Sequence, residues 1–213
     1  MGYVIVIIAA FIAYFFFRRN SLIKQVNLFN RLLYIEKNPE KYIEEVDKLL
    51  RRIQPERERN INLIQKTTGL LYDGQFDEAI RILTDEIKKI PPNWQHLYYH
   101  NLILCLFLNG ETERANNVLE DAKDVLELYA KRENNKSAIE FIYAVSDFYS
   151  GKGSTRKEFF HDLSQNGRND YRVALGFYFL GKIYEQENNE EESEEKSEKA
   201  KIFGKGSFLE RLY

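Results

Sequence analysis

From Leu22 to the end of the chain, apolar side chains recur every three or four residues, and no stretch keeps the period-two alternation of a strand. In "SLIKQVNLFNRLLYIEK" Leu22, Val26, Phe29 and Leu33 share one helical stripe. "NPEKYIEEVDKLLRRI" starts a second helix, with Asn38 as N-cap and Pro39 in the first turn. Its apolar residues Tyr42, Ile43, Val46, Leu49, Leu50 and Ile53 keep the same spacing. "QPERERNINLIQKTTGLLYDG" predicts a helix closed by Asp73-Gly74, and "QFDEAIRILTDEIKKI" one that runs to Pro91-Pro92. The next pair, "NWQHLYYHNLILCLFLNG" and "ETERANNVLEDAKDVLELYAKRENN", turns at Asn109-Gly110. "KSAIEFIYAVSDFYSGKG" and "STRKEFFHDLSQNG" turn around Gly151 and Gly153. "NDYRVALGFYFLGKIYEQENN" and "EEESEEKSEKAKIFGKG" close the series. The rhythm is helix, tight turn, helix, break, and it predicts an all-α fold.

The first residues have a different pattern. "GYVIVIIAAFIAYFFF" carries no charged side chain from Gly2 to Phe17, and Arg18 and Arg19 follow at once. A helix over it is about 24 Å long, short of the roughly 30 Å of a bilayer's hydrocarbon core. Snorkelling arginines and interfacial aromatic rings make up the difference. A cleaved leader would place basic residues before the apolar run and small ones after it. Here the order is reversed. Residues 1–19 are therefore expected to be a retained single-pass transmembrane signal anchor touching the membrane through residues 2–17, with 20–213 a helical domain. Arg18, Arg19 and Lys24 put that domain on the cytoplasmic side by the positive-inside tendency.

A spacing near 35 residues organises the helix pairs. In residues 60–93, Leu63 and Leu70 fill first-helix positions, Gly74 makes the turn, Phe76, Ala79 and Leu83 follow, and Pro91 ends the unit. In 96–130 the pattern returns as Tyr99, Leu102, Leu106, Gly110, Ala115, Leu119 and Ala122. In 174–204 it returns as Phe177, Leu180, Gly181, Tyr184 and Ala200. The chain thus resembles the tetratricopeptide repeat family, strongly over residues 60–130 and loosely over 22–213. The pair at 136–165 fits weakly, and 22–54 only as two helices. The resemblance implies an α-solenoid of helical hairpins, in which each pair buries its apolar face on the next and a concave groove is left open.

It also implies where a partner would lie. On the inner face of the first helices stand Leu71, then Leu97, His100, Leu104 and Phe107. Ile142 and Tyr149 follow, then Tyr178 and Lys182. The Lys and Asn, four residues apart, with which some members clamp acidic C-terminal peptides are absent from these helices. An apolar or amphipathic segment is the expected occupant.

Composition narrows the remaining chemistry. A formal net charge of −2 over 213 residues gives no footprint for nucleic acid. Cys105, the single cysteine, sits in apolar "LILCLFL" and reads as a buried, inert thiol. His96 and His100 have the spacing of a helical metal pair, but Leu97 stands where a metalloprotease wants Glu. "SGKGST" and "FGKGS" carry Gly after Lys where a phosphate loop needs Ser or Thr, so they read as turns and caps. No catalytic set, cofactor site, metal site or small-molecule substrate is expected. The expected function is a membrane-anchored adaptor, scaffold or assembly factor that binds a protein or peptide partner. An extracytoplasmic, chaperone-like orientation is the alternative, and a helical-bundle enzyme with a small-ligand pocket a further one.

Overall fold

The computed structural model describes Tyr3, Phe11, Phe16, Arg19, Asn20 and residues 22–212. Every regular element among these is helical. The expected anchor over 2–17 lies, except for Tyr3, Phe11 and Phe16, outside the described residues. Among the described residues no helix is long and apolar enough to cross a membrane.

Residues 22–30 and the π-helical turn Arg31–Ile35 form α1. Next come α2 (Pro39–Leu50), α3 (Glu56–Asp73) and α4 (Phe76–Arg81), which continues as a π-helical turn Ile82–Glu86. A 3-10 turn Pro92–Trp94 leads into α5 (Gln95–Leu108), followed by α6 (Thr112–Asp121) and α7 (Lys123–Ala130). After them, α8 (Glu133–Asp147) extends through a π-helical turn Phe148–Lys152 and a 3-10 turn Gly153–Arg156 into α9 (Lys157–Asn166). The series ends with α10 (Asp170–Gln186), α11 (Glu190–Phe203) and the short α12 (Phe208–Arg211).

The caps follow the sequence. Asn38 Oδ1 accepts from Lys41 N at 2.8 Å at the start of α2, and Pro39 loses no helical bond there. Gly74 closes α3 with φ 77°, a left-handed cap that costs glycine little. Two expected helices change shape. The helix before Pro91-Pro92 stops at Glu86, where Ile87 turns extended at φ −91° and ψ 96° and a side chain from α5 takes a carbonyl of the last turn. Tyr98 Oη donates to Leu83 O at 2.9 Å, Thr84 Oγ1 bonds back to Ile80 O at 3.0 Å within the helix, and past its end Asn60 Nδ2 of α3 donates to Lys89 O at 3.0 Å. The helix expected across 111–135 breaks at buried Ala122 into α6 and α7. The bend brings Tyr129 of α7 to the start of α5, where its hydroxyl donates to Pro92 O and its ring lies 4.8 Å from that of His96.

Consecutive helices pack antiparallel in sequence order: α2 on α3, α3 on α4, α5 on α6, α9 on α10 and α10 on α11. The first helices of the pairs also meet one another. Here α3 touches α5 and α5 touches α8, while α8 meets α10 through Phe141 and Phe179, 6.0 Å apart. Small residues permit this spacing. Ala79, Ala115, Ala144, Ala174 and Ala200 are fully buried. At Gly176 an added Cβ would stand 2.6 Å from Ser164 N. Cys105 is buried, and desolvation pushes its thiol pKa well up.

The two ends of the series meet. Tyr72 of α3 and Tyr171 of α10 stack at 4.5 Å, with the Tyr34 ring of α1 6.5 Å from Tyr171. Lys37 Nζ pairs with Asp170 at 2.6 Å. Past α11, Phe208 meets Phe76 edge-on at 5.2 Å, and Arg211 Nη2 lies 3.2 Å from Asp73 Oδ1. Gly206 makes that return possible. Its φ is +78°, and a Cβ there would fall 1.9 Å from Lys37 O. Gly206→Ala is expected to lose about 2 kcal/mol or more, from left-handed strain plus overpacking against a backbone carbonyl. Urea titration reads this loss, and wild-type stability in the variant would contradict so close a seat for α12.

Candidate functional site: a positively charged cavity between the first helices

Where α3, α5, α8 and α10 come together, the chain leaves a cavity of about 410 Å³. Its apolar wall is Leu71, Leu97, Ala138, Ile139 and Leu163. Its polar wall comes from every first helix: Thr68 and Tyr72 on α3, His96, His100 and Asn101 on α5, Ser137 on α8 and Arg172 on α10. Tyr34 of α1 closes one side, and Arg168 in the α9–α10 turn lies at the rim with Asp162 of α9.

Arg172 is held by its surroundings and is not neutralised by them. Asn169, the cap of α10, accepts from Arg172 N at 3.0 Å and so fixes the first turn. The guanidinium carbon lies 4.2 Å over the Phe141 ring. Nη1 is 3.4 Å from His100 Nε2 and Nη2 is 3.4 Å from Ser137 O, both long bonds to neutral groups. Among the described residues no carboxylate stands within 4.0 Å of Arg172 or Arg168. Burial lowers the Arg172 pKa, opposed by the Tyr72 and Tyr34 hydroxyls nearby.

His100 is neutral beside this cation. Desolvation, then the Arg172 charge, lowers its pKa to about 3. The contacts assign the tautomer. Nδ1 carries the proton toward Asn101 Oδ1 at 3.4 Å, leaving Nε2 to accept from Arg172. Asn101 in turn crosses to α3, donating to Thr67 Oγ1 at 3.1 Å and Thr68 Oγ1 at 2.9 Å. His96 is also shifted down, by desolvation and then Arg132. Its Nδ1 is buried without a hydrogen-bond partner.

Of the nine residues expected to line a groove, Leu71, Leu97 and His100 line the cavity. Leu104, Phe107 and Ile142 do not reach an open face and are fully buried in the core. Tyr149 covers that region, its ring stacked on Phe107 at 5.1 Å. Tyr178 is half-buried against Phe179 at 5.1 Å, and Lys182 pairs with Glu185 at 2.7 Å on α10. The expected face is therefore filled in its middle, and the space that remains lies at the His100 end. Arg172, Asn101, Tyr34 and Tyr72 were not expected there. The one available signal was Arg172 itself, a cation in the first turn of the otherwise apolar "YRVALGFYFLG".

The fold and cavity together define an all-helical protein of consecutive hairpins whose first helices enclose a cationic, part-apolar chamber. No known protein family, no characterised protein and no solved structure matches the chain.

Proposed function

We propose that this protein is a membrane-anchored binding module of tetratricopeptide-like solenoid construction, which holds a segment of a partner protein at the cavity and is not itself an enzyme. The observation that carries the reading is the cavity. Its volume of about 410 Å³ lies within the roughly 300–1,000 Å³ of ordinary ligand sites, and it combines an apolar wall with converging polar groups. Repeat-like spacing of Ala79, Ala115 and Gly181 supports the solenoid. The uncharged run 2–17 followed by Arg18 and Arg19 supports the anchor, with the C-terminal domain on the cytoplasmic face. Large apolar side chains within it and just after it are left in solvent, namely Tyr3 at 88%, Phe11 at 63%, Phe16 at 64% and Leu22 at 55% exposed. Anchoring at the membrane raises the local concentration of membrane-borne partners.

Two measurements test this. Alkaline carbonate should leave the full chain in the membrane pellet, and its release intact would count against the anchor. Crosslinking in membranes should recover a partner with the wild type and with Leu128→Glu, a change on an exposed site. Recovery should fall at least tenfold with Leu97→Trp, which fills the cavity. Undiminished recovery with Leu97→Trp would place the contact elsewhere.

A further inference from the structure

We propose that the cavity is an oxyanion site. Arg172 seats one carboxylate or phosphate monoester group, and the Leu71–Leu97–Ile139–Leu163 wall takes the compact apolar body that carries it. The proposal rests on the reading of the cavity as the binding site, but not on the partner's being a protein.

Three independent features support it. First, Arg172 keeps unused donors. A guanidinium has five N–H bonds, and among the described residues only two hydrogen bonds are formed by that group, both at 3.4 Å. Second, the charge is uncompensated. Asp170 is tied to Lys37 at 2.6 Å, and Asp162 stands at the rim beyond ion-pair distance of Arg172, its Oδ1 accepting from Asn166 Nδ2 at 2.8 Å. A half-buried cation without a counter-charge is unfavourable until an anion arrives. Third, the rest of the wall also suits an anion. Arg168 lies at the entrance, and the hydroxyl-bearing residues Thr68, Tyr34 and Tyr72 are among those lining the cavity. His100 is locked as a neutral acceptor toward Arg172, so it orients the guanidinium and does not compete for its charge.

The planar fork of arginine matches two oxygens of one group. That group is offered by a free small acid and by the acidic side chain of an extended segment, so the probes separate the two. One arm compares 4-phenylbutyrate and phenyl phosphate with the neutral 4-phenylbutyramide. The other compares acetyl-Leu-Glu-Leu-amide with acetyl-Leu-Gln-Leu-amide. Calorimetry on the full chain in detergent is expected to show at least one acid binding ten-fold or more tighter than its neutral counterpart. Arg172→Gln should abolish that preference, whereas Arg81→Gln, on the outer surface, should keep it. A wild-type control needs no variant: the arginine Nε–H resonance of Arg172 should shift with the acid and not with the amide. Equal binding of acid and amide, or no binding of any acid at about 10 mM, roughly ten times a millimolar Kd, overturns the proposal. Partner recovery lost in Leu97→Trp, together with equal binding of acid and amide, would leave the cavity as the docking site and overturn the oxyanion assignment alone. Acid preference with partner recovery untouched by Leu97→Trp would do the reverse.

Discussion

Phe179→Ala is expected to lower stability by about 4 kcal/mol, the middle of the range for emptying a buried phenylalanine site. The Phe179 side chain has no solvent exposure. Its ring centroid lies 4.9 Å from Phe160 on α9, 6.0 Å from Phe141 on α8 and 5.2 Å from Phe148 in the π-helical turn after α8. Three elements therefore share one side chain. Those neighbours are themselves rings fixed on rigid helices, so they are poorly able to collapse into the space left behind. The contacts with Phe141, Phe148 and Phe160 each add an aromatic-pair contribution beyond area. The same ring layer supports the site, because Phe141 is also the surface on which the Arg172 guanidinium lies. Phe179→Ala should accordingly weaken any ligand of the cavity as well as the fold. Phe179→Leu, which keeps most of the volume, should recover more than half of the lost stability. Urea unfolding followed by circular dichroism checks both variants. A loss under about 1 kcal/mol in Phe179→Ala would mean that the site collapses freely, against the rigidity of the surrounding rings.

Why some of this was legible in the sequence and some was not comes down to range. Helix existence is local, and it was readable. Asn38, Pro39, Gly74 and Gly110 act within a few residues of themselves, and the structure places caps and turns at each. Small-residue positions were partly readable. Gly181 does bring α10 close to α11, where an added Cβ would meet Ser197 Oγ at 3.1 Å. The tighter approach is at Gly176, against the backbone of α9. Nothing in "ALGFYFLG" distinguishes these two glycines, because the difference lies in another helix. Helix ends set by distant donors were not readable either. Pro91-Pro92 is the natural stop by local rules, yet the helix ends sooner, where Tyr98 takes Leu83 O from outside and Asn60 holds the extended stretch that follows through Lys89 O.

The site shows the same division more sharply. A 3.6-residue period assigns Leu97, His100, Leu104 and Phe107 to related faces of α5, but it does not say what covers each part of a face. Tyr149 covers Phe107, and the cavity is left over His100. The charge in that cavity comes from Arg172, 72 residues away from His100. Closure of the series by α12, through Phe208 and Phe76, likewise joins residues that no local pattern relates.

The neutral state of His100 has a consequence for acid stability with a definite sign. Its folded pKa, about 3, is below the roughly 6.5 of an unfolded chain. About one unit or more above pH 6.5 the imidazole is neutral in both states and contributes no pH dependence. Between pH 6.5 and 3 the unfolded chain binds a proton that the folded chain refuses, so stability falls as pH falls. The slope approaches about 1.4 kcal/mol per pH unit. From pH 7 to pH 5 the expected loss from this residue is about 2 kcal/mol. Burial of the ring is the largest cause of this behaviour; Arg172 then repels the imidazolium, Asn101 opposes the shift by hydrogen bonding, and His96 adds a smaller repulsion. His100→Gln keeps a side-chain amide beside Asn101 and removes the titration. The wild type should therefore lose about 2 kcal/mol more than His100→Gln between pH 7 and pH 5 when both are unfolded in urea. His96, shifted the same way by burial and Arg132, remains in both proteins and cancels from the difference. Parallel pH profiles for the two proteins would mean that His100 takes up a proton in the folded state, with solvent reaching the ring and Arg172 lying farther from it. An oxyanion seated on Arg172 acts on the same balance by offsetting the repulsion, so a bound acid should make the wild-type slope shallower and leave that of His100→Gln unchanged.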